Sequence, residues 1–202
     1  MRFTALLVCI GLLGGVAAAR AADPVGSVTR QQGSVVVLRG TAPEPLIVGS
    51  SVFAADNVRT GPASKVRIEG GDGLVIVIGP ASEVMIARYV REPGHGLVEA
   101  ALSLVRGIVR LVGEPTAGPR RIEVDTATAL ASVRSTDWLV DLTEKGTGVF
   151  VARGSVEVRG RAGGAVVLAP GEGTDVAAGQ QPTAPKRWGA ARRDAALART
   201  DL

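Results

Sequence analysis

Lys65-Val66-Arg67-Ile68-Glu69-Gly70-Gly71-Asp72-Gly73-Leu74-Val75-Ile76-Val77-Ile78 reads as a β-hairpin from residue types alone. Charged and apolar residues alternate over its first five positions. In an extended chain that period puts Val66 and Ile68 on one face and the charges on the other. Asp72-Gly73 supplies the residues that a tight hairpin turn favours, because they tolerate positive φ. Residues 74–78 then run without a polar alternate. That is the pattern of a strand covered on both sides.

The same pattern recurs outward from this hairpin. Arg121-Ile122-Glu123-Val124-Asp125 and Ser155-Val156-Glu157-Val158-Arg159 alternate in the same way. Trp138, Val140 and Leu142 share one strand face, with Asp137 and Asp141 on the other. Residues 165–168 form a second apolar run, also expected to be covered on both faces. Turns are marked at residues 144–148, 161–164 and 170–173. Valine is abundant and aromatic residues make up only 3% of the chain, which suits pleated, β-branched packing. No useful helical period appears before residue 187, where an Ala- and Arg-rich segment could form a short helix. Residues 25–178 are therefore expected to form an all-β domain of stacked antiparallel hairpins, sandwich- or β-solenoid-like, with a short basic C-terminal tail. Val75, Val77, Trp138 and Val167 are placed in its core. Gly33-Ser-Val-Val-Val, Gly107-Ile-Val-Arg-Leu and Gly154-Ser-Val-Glu-Val form a weak repeat. It is either coincidence in a Gly- and Val-rich chain or the trace of similar stacked hairpins.

The N-terminus reads as an export signal. Met1-Arg2 is the positive start, residues 3–16 are uncharged and apolar, and Ala19-x-Ala21 has the small-x-small pattern of a cleavage site. Residues 1–21 are expected to be a signal peptide, residues 22–178 the β domain, and residues 179–202 a flexible or partly helical basic tail. The apolar run falls short of the roughly 20 residues that span a bilayer, so no transmembrane segment is expected after cleavage. Cys9, the only cysteine, lies in the signal, leaving a mature chain without a thiol, a disulfide or a Cys-based metal site. The expected location is periplasmic or secreted.

The pI near 10.0 suggests nucleic acid, but the charge distribution does not. Lys186, Arg187, Arg192, Arg193 and Arg199 face only Asp194 and Asp201 in the tail. The body of the mature chain is left nearly neutral, with 16 basic and 17 acidic residues. No nucleic-acid partner is expected.

The order of short motifs resembles the FecR domain family. Gly33-Ser-Val-Val-Val-Leu-Arg-Gly40 precedes Asp56-Asn-Val-Arg-Thr60-Gly61. Ser64-Lys-Val-Arg-Ile68, Asp72-Gly73 and the apolar strand through Pro80-Ala-Ser82 follow. Ile122-Glu-Val-Asp-Thr126-Ala127 is similar to the family's Val-x-Thr-Pro element, with Ala127 in place of the Pro. Val133-Arg134-Ser135-Thr136 stands where the family has Val-Arg-Gly-Thr, with Ser135 in place of the Gly. The resemblance covers residues 25–178 and implies an exported β module. Well-known members carry a cytoplasmic anti-sigma segment and a transmembrane helix ahead of this domain, and here a signal peptide is read instead. The domain type and compartment are therefore implied, and the iron-signalling role is not.

Chemistry-bearing patterns are sparse. His95, the single histidine, sits between Pro93-Gly94 and Gly96 and reads as an exposed loop residue. There is no Gly-x-Ser-x-Gly elbow and no phosphate loop ending in Gly-Lys-Ser/Thr. No cofactor and no enzymatic activity are expected. The favoured function is a binding, scaffolding or signalling-type module of the cell envelope that contacts a protein or glycan. Its contact is placed at Arg134, Ser135, Thr136, Asp137 and Trp188. Trp188, beside Lys186 and Arg187, is either an anchor for a partner or a residue packed back on the domain. The alternative is a secreted glycan-acting enzyme, requiring two of Glu99, Glu123, Asp125, Asp137 and Asp141 to converge. A third reading, a sensor with a small ligand between the sheets, would need polar lining that a Val-rich core lacks.

Overall fold

The computed structural model describes residues 23–40, 42–113, 120–133 and 137–202. The readings of the signal peptide and of Arg134, Ser135 and Thr136 therefore lie outside the described residues. Among the described residues, seventeen strands are followed by one helix. The first eight are β1 (Gly26–Gln32), β2 (Val35–Arg39), β3 (Ala42–Pro45), β4 (Ser51–Val52), β5 (Asn57–Thr60), β6 (Lys65–Glu69), β7 (Leu74–Ile78) and β8 (Glu83–Glu92). The long β9 (Gly96–Gly113) is followed by β10 (Arg121–Asp125), β11 (Ala129–Val133), β12 (Asp137–Thr143), β13 (Gly146–Arg153) and β14 (Val156–Gly160). The chain closes with β15 (Ala165–Leu168), β16 (Glu172–Val176), β17 (Lys186–Arg187) and α1 (Ala190–Arg199).

The strands form two layers that share β9. The first layer runs β4-β1-β6-β7-β9-β12-β13-β16-β17. The second runs β3-β2-β5-β8-β9-β10-β11-β14-β15. Residues 96–106 of β9 pair with β8 in the second layer, and residues 107–112 pair with β12 in the first. Every pairing among the described strands is antiparallel except β9 with β10. Inward side chains of both layers merge into one core, including Val66, Ile68, Ile76 and Trp138 from the first layer and Val37, Leu104, Val124 and Val158 from the second.

The chain changes layers at a row of corners, and these explain the weak repeat. Gly33 (φ +71°) lies between β1 and β2, Gly107 (φ +83°) lies within β9, and Gly154 (φ +88°) lies between β13 and β14. All three repeat glycines thus mark the same event, a turn from one layer into the other with φ in the region only glycine enters freely. Serines tie neighbouring corners together. The Ser34 N–H donates to Ser64 Oγ at 2.8 Å, and the Ile108 N–H donates to Ser82 Oγ at 2.9 Å. The Gly61 N–H donates to the Ser34 carbonyl at 3.0 Å, and the Ala81 N–H donates to the Gly61 carbonyl at 2.9 Å. The fold is a sandwich whose strands turn at stacked corners, as in a solenoid.

The opening hairpin forms as its pattern requires, with Val66 paired to Ile78 and Ile68 to Ile76. Its second strand faces the core through Leu74, Ile76 and Ile78, while Val75 is only half-buried on the outer side. Val167 departs from expectation. It is 63% exposed, and residues 165–168 are not covered on both faces. The reason is positional: β15 is the last strand of its layer, so Leu168 is buried in the core and Val166 packs half-buried against it, while Ala165 and Val167 face outward.

Two outcomes follow. A Gly107→Ala side chain would place its Cβ 2.2 Å from Ser82 Oγ and 2.6 Å from Ser82 Cα. It should cost at least ~2 kcal/mol in urea unfolding, from backbone strain plus overpacking. Gly163→Ala has positive φ but no atom within 4 Å, and should cost only about 1 kcal/mol. Equal losses would show that corner packing is not limiting. Trp138→Ala, at 1% exposure, should cost about 3–5 kcal/mol, against less than ~0.5 kcal/mol for Val167→Thr.

Candidate functional site

The outer face of the first layer is built as a seat for the C-terminal segment. Strand register aligns Ile108, Asp141, Gly148 and Asp175 in one row across β9, β12, β13 and β16. Arg110, Leu139, Phe150 and Gly173 form the next row. A ten-residue helix is about 15 Å long, close to the ~14 Å spanned by four neighbouring strands. Helix α1 lies over these rows and seals a second apolar cluster of Ile108, Leu139, Phe150, Trp188 and Ala196.

Charges fix the ends of the helix. Arg192 donates to Asp175 Oδ2 at 2.9 Å, and Arg199 donates to Asp141 Oδ2 at 2.7 Å. Lys65 Nζ donates to the carbonyls of Ala198 and Asp201 at 2.7 and 3.0 Å. A cation at a helix C-terminus meets the carbonyls that have no intrahelical partner. The guanidinium of Arg192 holds the Asp175 carboxyl below its ordinary range, although partial burial pushes the other way.

Trp188 takes the second of its two sequence readings. It is buried, stacks on Phe150 with ring centroids 5.1 Å apart, and is covered by the Arg192 guanidinium 3.7 Å from its ring centre. Its indole is not available as an exposed anchor while α1 is docked. Three glycines make the seat possible. A Cβ at Gly173 would lie 2.2 Å from Trp188 Nε1, one at Gly148 2.8 Å from Arg192, and one at Gly79 2.9 Å from the Arg199 carbonyl. The residues that sequence reasoning passed over are Lys65, Phe150, Asp175 and Arg192. The available signal was Gly148 and Gly173, glycines in strand patterns, which often mark close approach by another segment.

Asp137, the one described member of the 134–137 contact, opens β12 on the same face. It accepts a bidentate pair from Arg110 at 2.8 and 2.7 Å, and this contact raises the pKa of Arg110. Beside the helix, an open cleft of about 650 Å³ is lined by Lys145, Asp141, Asp175, Gln180, Gln181 and Thr183 among others. His95 is exposed in the β8–β9 turn.

The five carboxylates, two of which a glycan-cleaving reading requires, are divided between the two layers. Asp137 and Asp141 stand on the first layer, each with its own arginine, Arg110 and Arg199. Glu99, Glu123 and Asp125 stand on second-layer strands and pair with Arg88, Arg121 and Arg161. Among the described residues, no three His, Cys, Asp or Glu side chains gather at a metal-binding distance. No described helix is long and apolar enough to cross a membrane.

The architecture defines the chain as an all-β module of arched strands with a helix-covered outer face. The chain belongs to the FecR protein family, whose model matches residues 56–157. Two crystal structures of a candidate anti-sigma factor from Parabacteroides distasonis, at 1.65 and 2.50 Å resolution, share the fold. Each has a TM-score of 0.55 and 19% identity over 70% of this chain. The match spans 64% and 63% of those chains, just under two thirds of their length. No curated protein matches.

Because the Asp175 carboxyl is held low, its contribution to docking is present above the ordinary value of 3.8. It is lost as pH falls from there through the depressed value. Trp188 emission in a Trp138→Phe background should therefore hold down to pH ~4 and shift to the red below it. Asp175→Asn should give the red-shifted, protease-sensitive tail already at neutral pH. An unchanged spectrum in that variant would show that the Arg192 contact does not hold the helix.

Proposed function

We propose that this FecR-family chain is an exported, non-catalytic module of the bacterial cell envelope that binds a protein or glycan partner, in a signalling or scaffolding role. One observation carries the reading. Each of the five candidate carboxylates is ion-paired with a different arginine, and they are divided between two layers. A general acid and its partner carboxylate must flank one bond, so this arrangement supports binding over hydrolysis. The family membership and the anti-sigma likeness of the matched structures support a regulatory module. The Ala19-x-Ala21 signal pattern supports export.

The docked helix changes where contact is sought. With Trp188 buried, the first-layer surface beside α1, around the part-buried Asp137–Arg110 pair, is the better candidate. Cross-linking and capture from intact envelopes should retrieve one partner reproducibly with the full chain. An Arg110→Ala/Asp137→Ala pair should lower that capture about tenfold or more. Turnover of a glycan by the purified chain, abolished by Asp141→Asn, would overturn the reading.

A further inference from the structure

Each layer ends in two edge strands, and an edge with unpaired N–H and C=O groups pairs with other strands unless it is blocked. Three of the four edges are blocked. β3 is Ala42-Pro43-Glu44-Pro45, with two prolines that cannot donate and one charge. β4 has only two residues. β17 is the two-residue, charged Lys186-Arg187, directly after Pro185. The fourth edge is different. β15 is Ala165-Val166-Val167-Leu168, with no charge and no proline.

The hydrogen-bond parity of β15 is fixed by its hairpin. The Gly160 N–H donates to the Gly164 carbonyl, and Val158 and Val156 pair with Val166 and Leu168. On the other side of β14, the Arg161 N–H donates to the Thr128 carbonyl, which requires the same parity. Bonded pairs alternate along an antiparallel ladder. Val166 and Leu168 therefore turn their backbone groups toward β14, and Ala165 and Val167 turn theirs outward. No described strand lies on that side. The next N–H, that of Ala169, is taken by Glu172 Oε2 at 2.9 Å, which ends the open stretch.

We infer that β15 is the site at which two copies of this chain pair, antiparallel, about a two-fold axis through Val166. In that register Ala165 of each copy faces Val167 of the other, so four backbone hydrogen bonds form. Val167, 63% exposed, then lies beside an alanine instead of water. The strand is self-complementary because it sets no charge against its copy. Among the described strands the other long unpaired stretch is residues 87–92 of β8, beyond the reach of β5, and it carries Arg88, Arg91 and Glu92, so association is limited to a closed pair through β15. Four residues bury far less than the ~1,600 Å² of a standard interface, so a weak dimer is expected, with a Kd of about 10–1,000 µM.

The test is sedimentation of the chain from residue 22 to 202 over a concentration series reaching ~1 mM, combined with directed cross-linking. Wild type should shift from monomer to dimer with rising concentration and no higher species. Val167→Pro removes an outward N–H and should leave a monomer. Val167→Lys, which retains the strand backbone, should do the same with an unchanged Tm. Val166→Cys should form an intermolecular disulfide under mild oxidation, because the axis sets residue 166 against its own copy in a close, non-bonded pair. Ala165→Cys should cross-link much less. A monomer at every concentration would overturn the inference. So would a dimer indifferent to both Val167 variants, or one that cross-links equally at 165 and 166.

Discussion

One strand has to belong to two sheets. β9 runs for 18 residues, pairing with β8 and β10 before Gly107 and with β7 and β12 after it. The step between layers is made where φ turns positive and Ser82 closes on the backbone. The Ser82 hydroxyl accepts from the Ile108 N–H on one side and lies within bonding distance of the Pro80 carbonyl on the other. A side chain at residue 107 has no room beside it. Because the corners at Gly33, Gly61 and Gly79 are bonded in sequence to this one or to each other, the inward face of both layers follows from it. So does the single core between them.

The same layer that receives the C-terminal half of β9 also carries the helix. Ile108, the first residue after the corner, lies under α1, and Gly79, whose N–H donates to the Ile108 carbonyl, meets the helix C-terminus. The tail therefore packs as an element of the domain. Its positive charges, which give the chain its high pI, are largely answered locally. Arg192 meets Asp175, Arg199 meets Asp141 and Arg193 meets Asp194. A basic composition in this chain reflects intramolecular docking more than a field directed at an outside partner.

Protection of the edges follows the connectivity. The first layer is closed by two-residue strands because the chain enters and leaves it through loops rich in turn residues. The second layer begins at a proline-blocked strand and ends at a bare one. An FecR-family module with one open edge and one helix-covered face has two distinct places where contact is controlled. They lie on different layers, so the proposed self-pairing and the proposed partner contact would not compete for one surface.

The hairpin of residues 65–78, the strand faces of Trp138 and Val140, and the all-β class were legible because side-chain alternation and turn chemistry are local. Period 2 and Asp-Gly need no knowledge of the rest of the chain. The family was legible from the order of its turns. The parity of β7 was not, because Leu74 to Ile78 is apolar at every position and alternation carries no information there. Nor was the exposure of Val167. An apolar run marks a buried strand only if a neighbour follows it, and whether one does is a property of sheet order. The burial of Trp188 and the pairing of Asp137, Asp141 and Asp175 were decided by tertiary register. It brings together residues 58 positions apart, as in Asp141 with Arg199, and 136 apart, as in Lys65 with Asp201. The sequence by itself determined the strands, their turns and a single cysteine, Cys9, far from the β domain in the chain. Only the tertiary structure decided which polar groups neutralise each other and which edge is left open, because both depend on what stands beside a strand rather than on what lies along it.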